Sequence, residues 1–155
     1  MKKVFVFTLL ISAFGVASAQ TKVIKYDGLD VLMKKKEGPI QVLNFWATWC
    51  GPCVKELPIF EQVNANDASV KVTLINLDFV EKLDKVDAFI ARKTMKSENF
   101  LLDEMDYNSW IDKVDKSWEG AIPATLIYNP VSGKRVFIQH ELKEGELEQL
   151  IASVK

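Results

Sequence analysis

The stretch from Ile40 to Ala47, IQVLNFWA, holds only two polar side chains, Gln41 and Asn44, and runs directly into Thr48-Trp49-Cys50-Gly51-Pro52-Cys53. A run this short, apolar and aromatic is the pattern of a strand covered on both faces. Such a strand needs helices above and below its sheet, which restricts the chain to the α/β class. The remaining periodicities supply the partners. Lys22 to Tyr26 reads as a short edge strand, followed by a helix capped by Asp27, running to about Lys36 and stopped by Gly38-Pro39. A helix is expected from about Pro52 to Asn64 with Leu57, Phe60 and Val63 turned inward, then a buried strand from Val70 to Asp78. Leu83, Val86, Phe89 and Ile90 share one face of a helix from Val80 to about Met95. Tyr107, Ile111, Val114 and Trp118 suggest another from Asp106 to Trp118, ended by Gly120.

Ala124 to Asn129 and Lys134 to His140 read as strands of a hairpin through Asn129-Pro130-Val131-Ser132-Gly133. A last helix from about Glu144 to Val154 packs through Leu147, Leu150, Ile151 and Val154. The expected architecture is a mixed central sheet with helices on both faces, parallel in its first half with right-handed crossovers, and closed by a C-terminal β-hairpin and helix.

The beginning of the chain follows a different logic. Lys2 and Lys3 precede the apolar and small run Val4 to Val16, and Ala17-Ser18-Ala19 presents small residues at the positions a signal peptidase reads. This is the layout of a secretory signal peptide over residues 1–19, leaving one domain over residues 20–155. The apolar run is too short to span a bilayer, which takes about 20 residues. Removing it takes away two lysines and leaves a formal charge of −3, which argues against nucleic acid or an anionic membrane surface as partner. The expected product is a monomer, periplasmic or otherwise exported and soluble after cleavage.

Export sharpens the reading of the cysteines. Cys50 and Cys53 are the only two in the chain, and a crosslink closing so short a loop stabilises little. A closed zinc site needs about four ligands, and beside the two cysteines the one histidine, His140, lies at the far end of the expected hairpin. Neither a metal nor any cofactor beyond a redox-active Cys50–Cys53 disulfide is expected. With Cys50 at the N-terminus of a helix, the unpaired N–H groups and the helix dipole favour its thiolate, the nucleophilic form. Pro52 suits the first turn, where its missing N–H costs nothing. Cys53, one turn on, should be more buried. Cys50 then attacks a substrate disulfide, and Cys53 resolves the mixed disulfide.

The stretch Asn44-Phe45-Trp46-Ala47-Thr48-Trp49-Cys50-Gly51-Pro52-Cys53 resembles the active-site strand and loop of thioredoxins, and most closely their exported TlpA/ResA-like branch. Glu56 and Pro58, the loop Gly120-Ala121-Ile122-Pro123-Ala124-Thr125 and the hairpin Ile127-Tyr128-Asn129-Pro130 with Gly133-Lys134 match in order, so the resemblance covers about Ile40 to Lys155. It implies a thioredoxin-like fold and a cis peptide bond before Pro123, which faces the cysteines. The backbone of Ile122 is then expected to pair with an extended substrate strand. Trp49 is expected to cover the thiol rim and touch substrate, with Gly51 and Pro52 beside it. Cytosolic thioredoxins carry a buried aspartate where Asn44 stands, and in the TlpA/ResA-like branch a glutamate three residues after the second cysteine takes over its proton-transfer part. The resemblance gives that catalytic role to Glu56, whose pKa burial should raise.

The function implied is an exported thiol–disulfide oxidoreductase. The Gly-Pro between the cysteines matches thioredoxin, with a potential near about −270 mV, and so favours reduction of disulfides in exported proteins. Apocytochrome c is one such substrate by analogy, and an integral-membrane thiol carrier would supply electrons. An oxidase or isomerase is the alternative within redox chemistry. A peroxidase would need a proline and a threonine or serine where Leu43 and Ala47 stand. A copper-binding module usually spaces its cysteines by three residues and adds a histidine. Trp46, Trp110 and Trp118 are expected to pack in the core or along its flank, with a partner surface the other reading for the last two. His140 and the charged runs Lys34-Lys35-Lys36 and Glu141 to Glu148 are expected on the solvated surface.

Overall fold

The computed structural model describes residues 21–155, so the expected signal peptide at residues 1–19 lies outside the described residues. Six strands form one sheet. In chain order the elements are β1 (Lys22–Ile24), α1 (Tyr26–Met33), β2 (Ile40–Trp46), α2 (Gly51–Asn66) and β3 (Val70–Asn76). A turn of 3₁₀ helix at Val80–Lys82 leads into α3 (Leu83–Arg92), followed by β4 (Glu98–Leu102). After a second 3₁₀ turn at Tyr107–Ser109 come α4 (Ile111–Val114), β5 (Ala124–Tyr128), β6 (Arg135–Ile138) and α5 (Glu146–Val154). The spatial order is β1-β4-β3-β2-β5-β6. The first four strands in that order run parallel, and β5 and β6 pair antiparallel.

Every residue of β2 is buried, as its composition requires. Its side chains alternate between two apolar layers. Val42 and Trp46 face a layer built with Leu57, Phe60 and Val63 of α2, Val86, Phe89 and Ile90 of α3, and Leu147, Ile151 and Val154 of α5. Leu43 and Phe45 face the other, with Leu29 of α1, Trp110, Val114 and Trp118. The expected mixed sheet with helices on both faces and a closing hairpin and helix is the arrangement observed. Register places Asn44 opposite Leu74 on one side and Thr125 on the other, so a polar residue sits mid-sheet on the α2 face.

Three expectations need correction. No strand was expected at Glu98–Leu102, because its apolar run, Phe100 to Leu102, is too short to stand out; β4 exists because it fills the slot between β1 and β3. The continuous helix over Asp106 to Trp118 is broken. Asp115 is extended at φ −156°, and its carboxylate accepts from both the N–H and the hydroxyl of Ser117, a local bond that competes with helix. Tyr107, expected inward on that helix, is 41% exposed. Finally, α1 begins one residue before Asp27, which lies in its first turn. The Tyr26 N–H is taken instead by Glu104 from across the sheet edge, at 3.0 Å.

Candidate active site

Strand β2 delivers the chain to the carboxyl edge of the sheet, and the turn Ala47–Cys50 redirects it into α2. The Cys50 N–H closes this turn on the Ala47 carbonyl at 3.1 Å. Asp78, just past the end of β3, clamps it from the side. Its carboxylate accepts from the Thr48 N–H (2.8 Å), the Thr48 hydroxyl (2.7 Å) and the Asn76 amide (2.8 Å). Asp78 and Thr48 carried no signal of this in the sequence, since one aspartate after a strand looks like any loop residue.

Cys50 is the N-cap of α2, with φ −88° and ψ 102°, and its Sγ accepts from the Cys53 N–H at 3.3 Å. That bond uses one of the donors a helix start leaves unpaired, and it would strengthen once the sulfur carried charge. The first turn of α2 holds no acidic residue to oppose such a charge. The two sulfurs are joined in a disulfide, with Cα atoms 5.3 Å apart. Cys53 is wholly buried, as expected, but Cys50 is less open than expected, at only 6% exposure. Its approach surface is supplied by its neighbours: Trp49 is 68% exposed, and Gly51 and Pro52 are exposed as well.

The Ile122–Pro123 peptide is cis, and the Ile122 carbonyl oxygen stands 3.8 Å from Cys50 Sγ. The loop and the first cysteine are therefore neighbours. The Ile122 N–H has no hydrogen-bond partner among the described residues, and β5 begins its ladder with β2 only at Ala124. Ile122 thus stands two residues ahead of β5, with its N–H unpaired and its carbonyl beside the sulfur.

Glu56, on the second turn of α2, is 1% exposed. Its Oε1 accepts from the Asn44 amide at 2.8 Å and its Oε2 from the Leu142 N–H at 2.7 Å. Burial pushes its pKa up to about 7, against the opposing pull of these two bonds. The same Asn44 nitrogen lies 3.1 Å from the Thr125 hydroxyl, while Asn44 Oδ1 is buried without a partner. Turned end for end, this amide would accept from a protonated Glu56, so the pocket can satisfy either charge state. Neither oxygen of Glu56 bonds a sulfur. Leu142 was hidden in the sequence, where Glu141 to Glu148 read as a solvated run; it is 2% exposed and its N–H reaches the carboxylate.

The remaining residues fall where expected or outside the site. His140 is exposed and pairs with Glu146 at 2.9 Å. Trp46, Trp110 and Trp118 are all buried, which removes the partner-surface reading of the last two. Among the described residues no cluster of three potential metal ligands occurs, and no helix is long and apolar enough to cross a membrane.

Comparison with known proteins agrees with this geometry. The thioredoxin family model matches residues 20–93. Over 66 residues the chain is 38% identical to the thiol-disulfide oxidoreductase ResA of Oceanobacillus iheyensis, a match covering 41% of this chain and 33% of that protein. It is 43% identical over 47 residues to thioredoxin of Staphylococcus aureus, covering 30% of this chain and 44% of that protein. The chain thus spans less than half the length of these curated relatives. Among solved structures, a thioredoxin-related protein from Neisseria meningitidis serogroup B superposes with a TM-score of 0.66 at 25% identity, over 76% of this chain and 86% of that one.

Proposed function

We propose that the chain works as an exported thiol–disulfide oxidoreductase that reduces disulfides of exported proteins, a reading supported by the match of the thioredoxin family model to residues 20–93 and by the fold it shares with a thioredoxin-related protein. The observation that carries this reading is the position of Cys50: at the N-cap of α2, accepting from the Cys53 N–H, with the Ile122 carbonyl 3.8 Å away.

The chemistry runs as two exchanges. The Cys50 thiolate attacks one sulfur of a substrate disulfide, forming a Cys50–substrate disulfide and releasing the other substrate sulfur as thiolate. Cys53 loses its proton and attacks Cys50 Sγ, forming the Cys50–Cys53 bond and releasing the second substrate thiolate. Two electrons and, in sum, two protons pass to the substrate. Glu56 lies one helical turn beyond Cys53 and carries a pKa of about 7, which suits a group that takes up and returns the Cys53 proton near neutrality. Trp49, Gly51 and Pro52 form the approach surface, and the Ile122 backbone beside Pro123 pairs with an extended substrate segment. Electrons return through a thiol carrier in the membrane, since an exported reductant has to be recharged from outside its own compartment. The basic, apolar and small-residue order of residues 1–19 supports export, and the match to the thiol-disulfide oxidoreductase ResA supports the redox assignment.

Replacing Cys53 with serine and expressing the full chain should trap mixed disulfides on Cys50, identified by mass spectrometry after non-reducing separation. Trapping on Cys53 in the Cys50→Ser variant, with none on Cys50, would reverse the roles. A measured potential near thioredoxin's, about −270 mV, supports net reduction, and one near about −120 mV turns the direction to oxidation.

A further inference from the structure

The segment between β4 and the Ile122–Pro123 loop forms no continuous helix, yet aromatic packing and hydrogen bonds to β6 and beyond anchor it. Trp118 is 3% exposed, and its ring lies against Phe45 (4.6 Å between centroids), Trp110 (5.3 Å) and Phe137 (5.6 Å). Phe45 belongs to the strand that ends at the cysteines, so the indole is referenced to the same rigid element that carries Cys50. The segment is also fastened to β6 and the residues after it. Arg135 donates to the Val114 carbonyl at 2.6 Å, Gln139 donates to the Ser117 carbonyl at 3.1 Å, and Gln139 Oε1 accepts from the Glu119 N–H at 3.1 Å. Gly120, at φ +84°, then turns the chain back over Trp118. The indole Nε1–H donates to the Ala121 carbonyl at 2.8 Å. The next carbonyl along, that of Ile122, is the one that faces Cys50 Sγ.

We propose that Trp118 is a positioning residue for exchange at Cys50: by holding the Ala121 carbonyl, its indole N–H fixes the direction in which the unpaired Ile122 backbone meets an extended segment of a protein disulfide. This rests on the reading of Cys50 and Cys53 as the exchange site. The bond is specific to one of the two neighbouring indoles. Trp110 Nε1 is equally buried and has no partner among the described residues, so the pair supplies its own control. A protein substrate needs the backbone direction, whereas a small aromatic disulfide needs only the sulfur.

The test compares reduced full-chain protein with two oxidants, insulin and dipyridyl disulfide, in the unmutated form and in Trp118→Phe and Trp110→Phe. Trp118→Phe is expected to slow the reaction with insulin about three- to tenfold, the worth of one lost hydrogen bond, with the rise in KM rather than a fall in kcat, and to leave dipyridyl disulfide unchanged. Trp110→Phe loses no hydrogen bond and should slow insulin less than Trp118→Phe does, with dipyridyl disulfide unchanged. Equal slowing of insulin by the two variants, or no slowing by Trp118→Phe, overturns the proposal while the exchange reading stands. Failure of the unmutated protein to reduce either disulfide overturns the exchange reading and this inference with it. A second measurement needs no variant to fold: in isotope-labelled protein, a scalar coupling across the bond should join Trp118 Nε1 to the Ala121 carbonyl carbon, and its absence contradicts the anchor.

Discussion

At the scale of single residues, Glu56 carries the largest consequence. Its carboxyl sits in a pocket made by three elements: Asn44 from β2, Leu142 from the loop before α5, and its own helix. Burial raises its pKa from an ordinary 4.5 to about 7, so the folded state holds this proton more tightly than the unfolded chain does. Its stabilising contribution is therefore full below about pH 4.5 and is lost as pH rises through about 7. A shift of that size corresponds to roughly 3 kcal/mol. Glu56→Gln keeps the shape and removes the titration. Urea unfolding of the oxidised protein should show stability falling across that interval in the unmutated chain and a flat profile in the variant. If Glu56 also moves the Cys53 proton, the same variant loses the pH dependence of resolution of a mixed disulfide near neutrality, measured by single-turnover kinetics. The sequence disclosed Glu56 only through a resemblance to relatives, since a glutamate on a helix is ordinarily solvated. Nothing in its own neighbourhood announced that Leu142, far along the chain, would close the pocket.

At the scale of elements, the turn between β2 and α2 is held by the clamp from the end of β3. Three hydrogen bonds converge on the Asp78 carboxylate, two of them from Thr48. Asp78→Ala leaves the Thr48 N–H without its acceptor and should cost about 2–4 kcal/mol in urea unfolding. The same variant should slow reduction of a protein disulfide more than Thr48→Val, which loses one bond of the three. Equal stability of Asp78→Ala and the unmutated chain would show that the turn holds itself. Elements with strong patterns were legible beforehand: β2 and β3 from their mostly apolar runs, α3 from Val86, Phe89 and Ile90 on one face. The segment from Asp106 to Trp118 was not. Its apolar spacing is helical, but Asp115 and Ser117 bond each other locally, and Trp118 is drawn to Phe45 and Phe137. Tertiary aromatic contacts there override a pattern that only counts residues along one helix.

At the scale of the whole molecule, two apolar layers on either side of one sheet hold the site at the carboxyl edge of its central strand. The layer containing α2, α3 and α5 buries Cys53 and Glu56, and the opposite layer, built on Phe45, Trp110 and Trp118, supports the loop that faces Cys50. Both halves of the site thus depend on β2, whose alternating residues feed each layer in turn. The α/β class and the place of the cysteines directly after β2 followed from the sequence, because burial on both faces leaves few architectures; the strand order did not, because β4 lies between β1 and β3 and carried too short an apolar run to be read. The pairing of Glu56 with Leu142 and of Trp118 with Ala121 did not follow: the first joins groups far apart along the chain, and the second is a local bond closed only by the turn at Gly120, which no periodicity signals. Exchange at this site requires Cys50 to be the sulfur that the start of α2 ionises. That claim is tested most directly by reducing the protein and measuring, by mass spectrometry of each cysteine, the rate of alkylation by iodoacetamide as a function of pH. Cys50 should react first, along a curve whose midpoint lies below the ordinary thiol value of about 8.5. Preferential labelling of Cys53, or a Cys50 midpoint at or above that value, would contradict it.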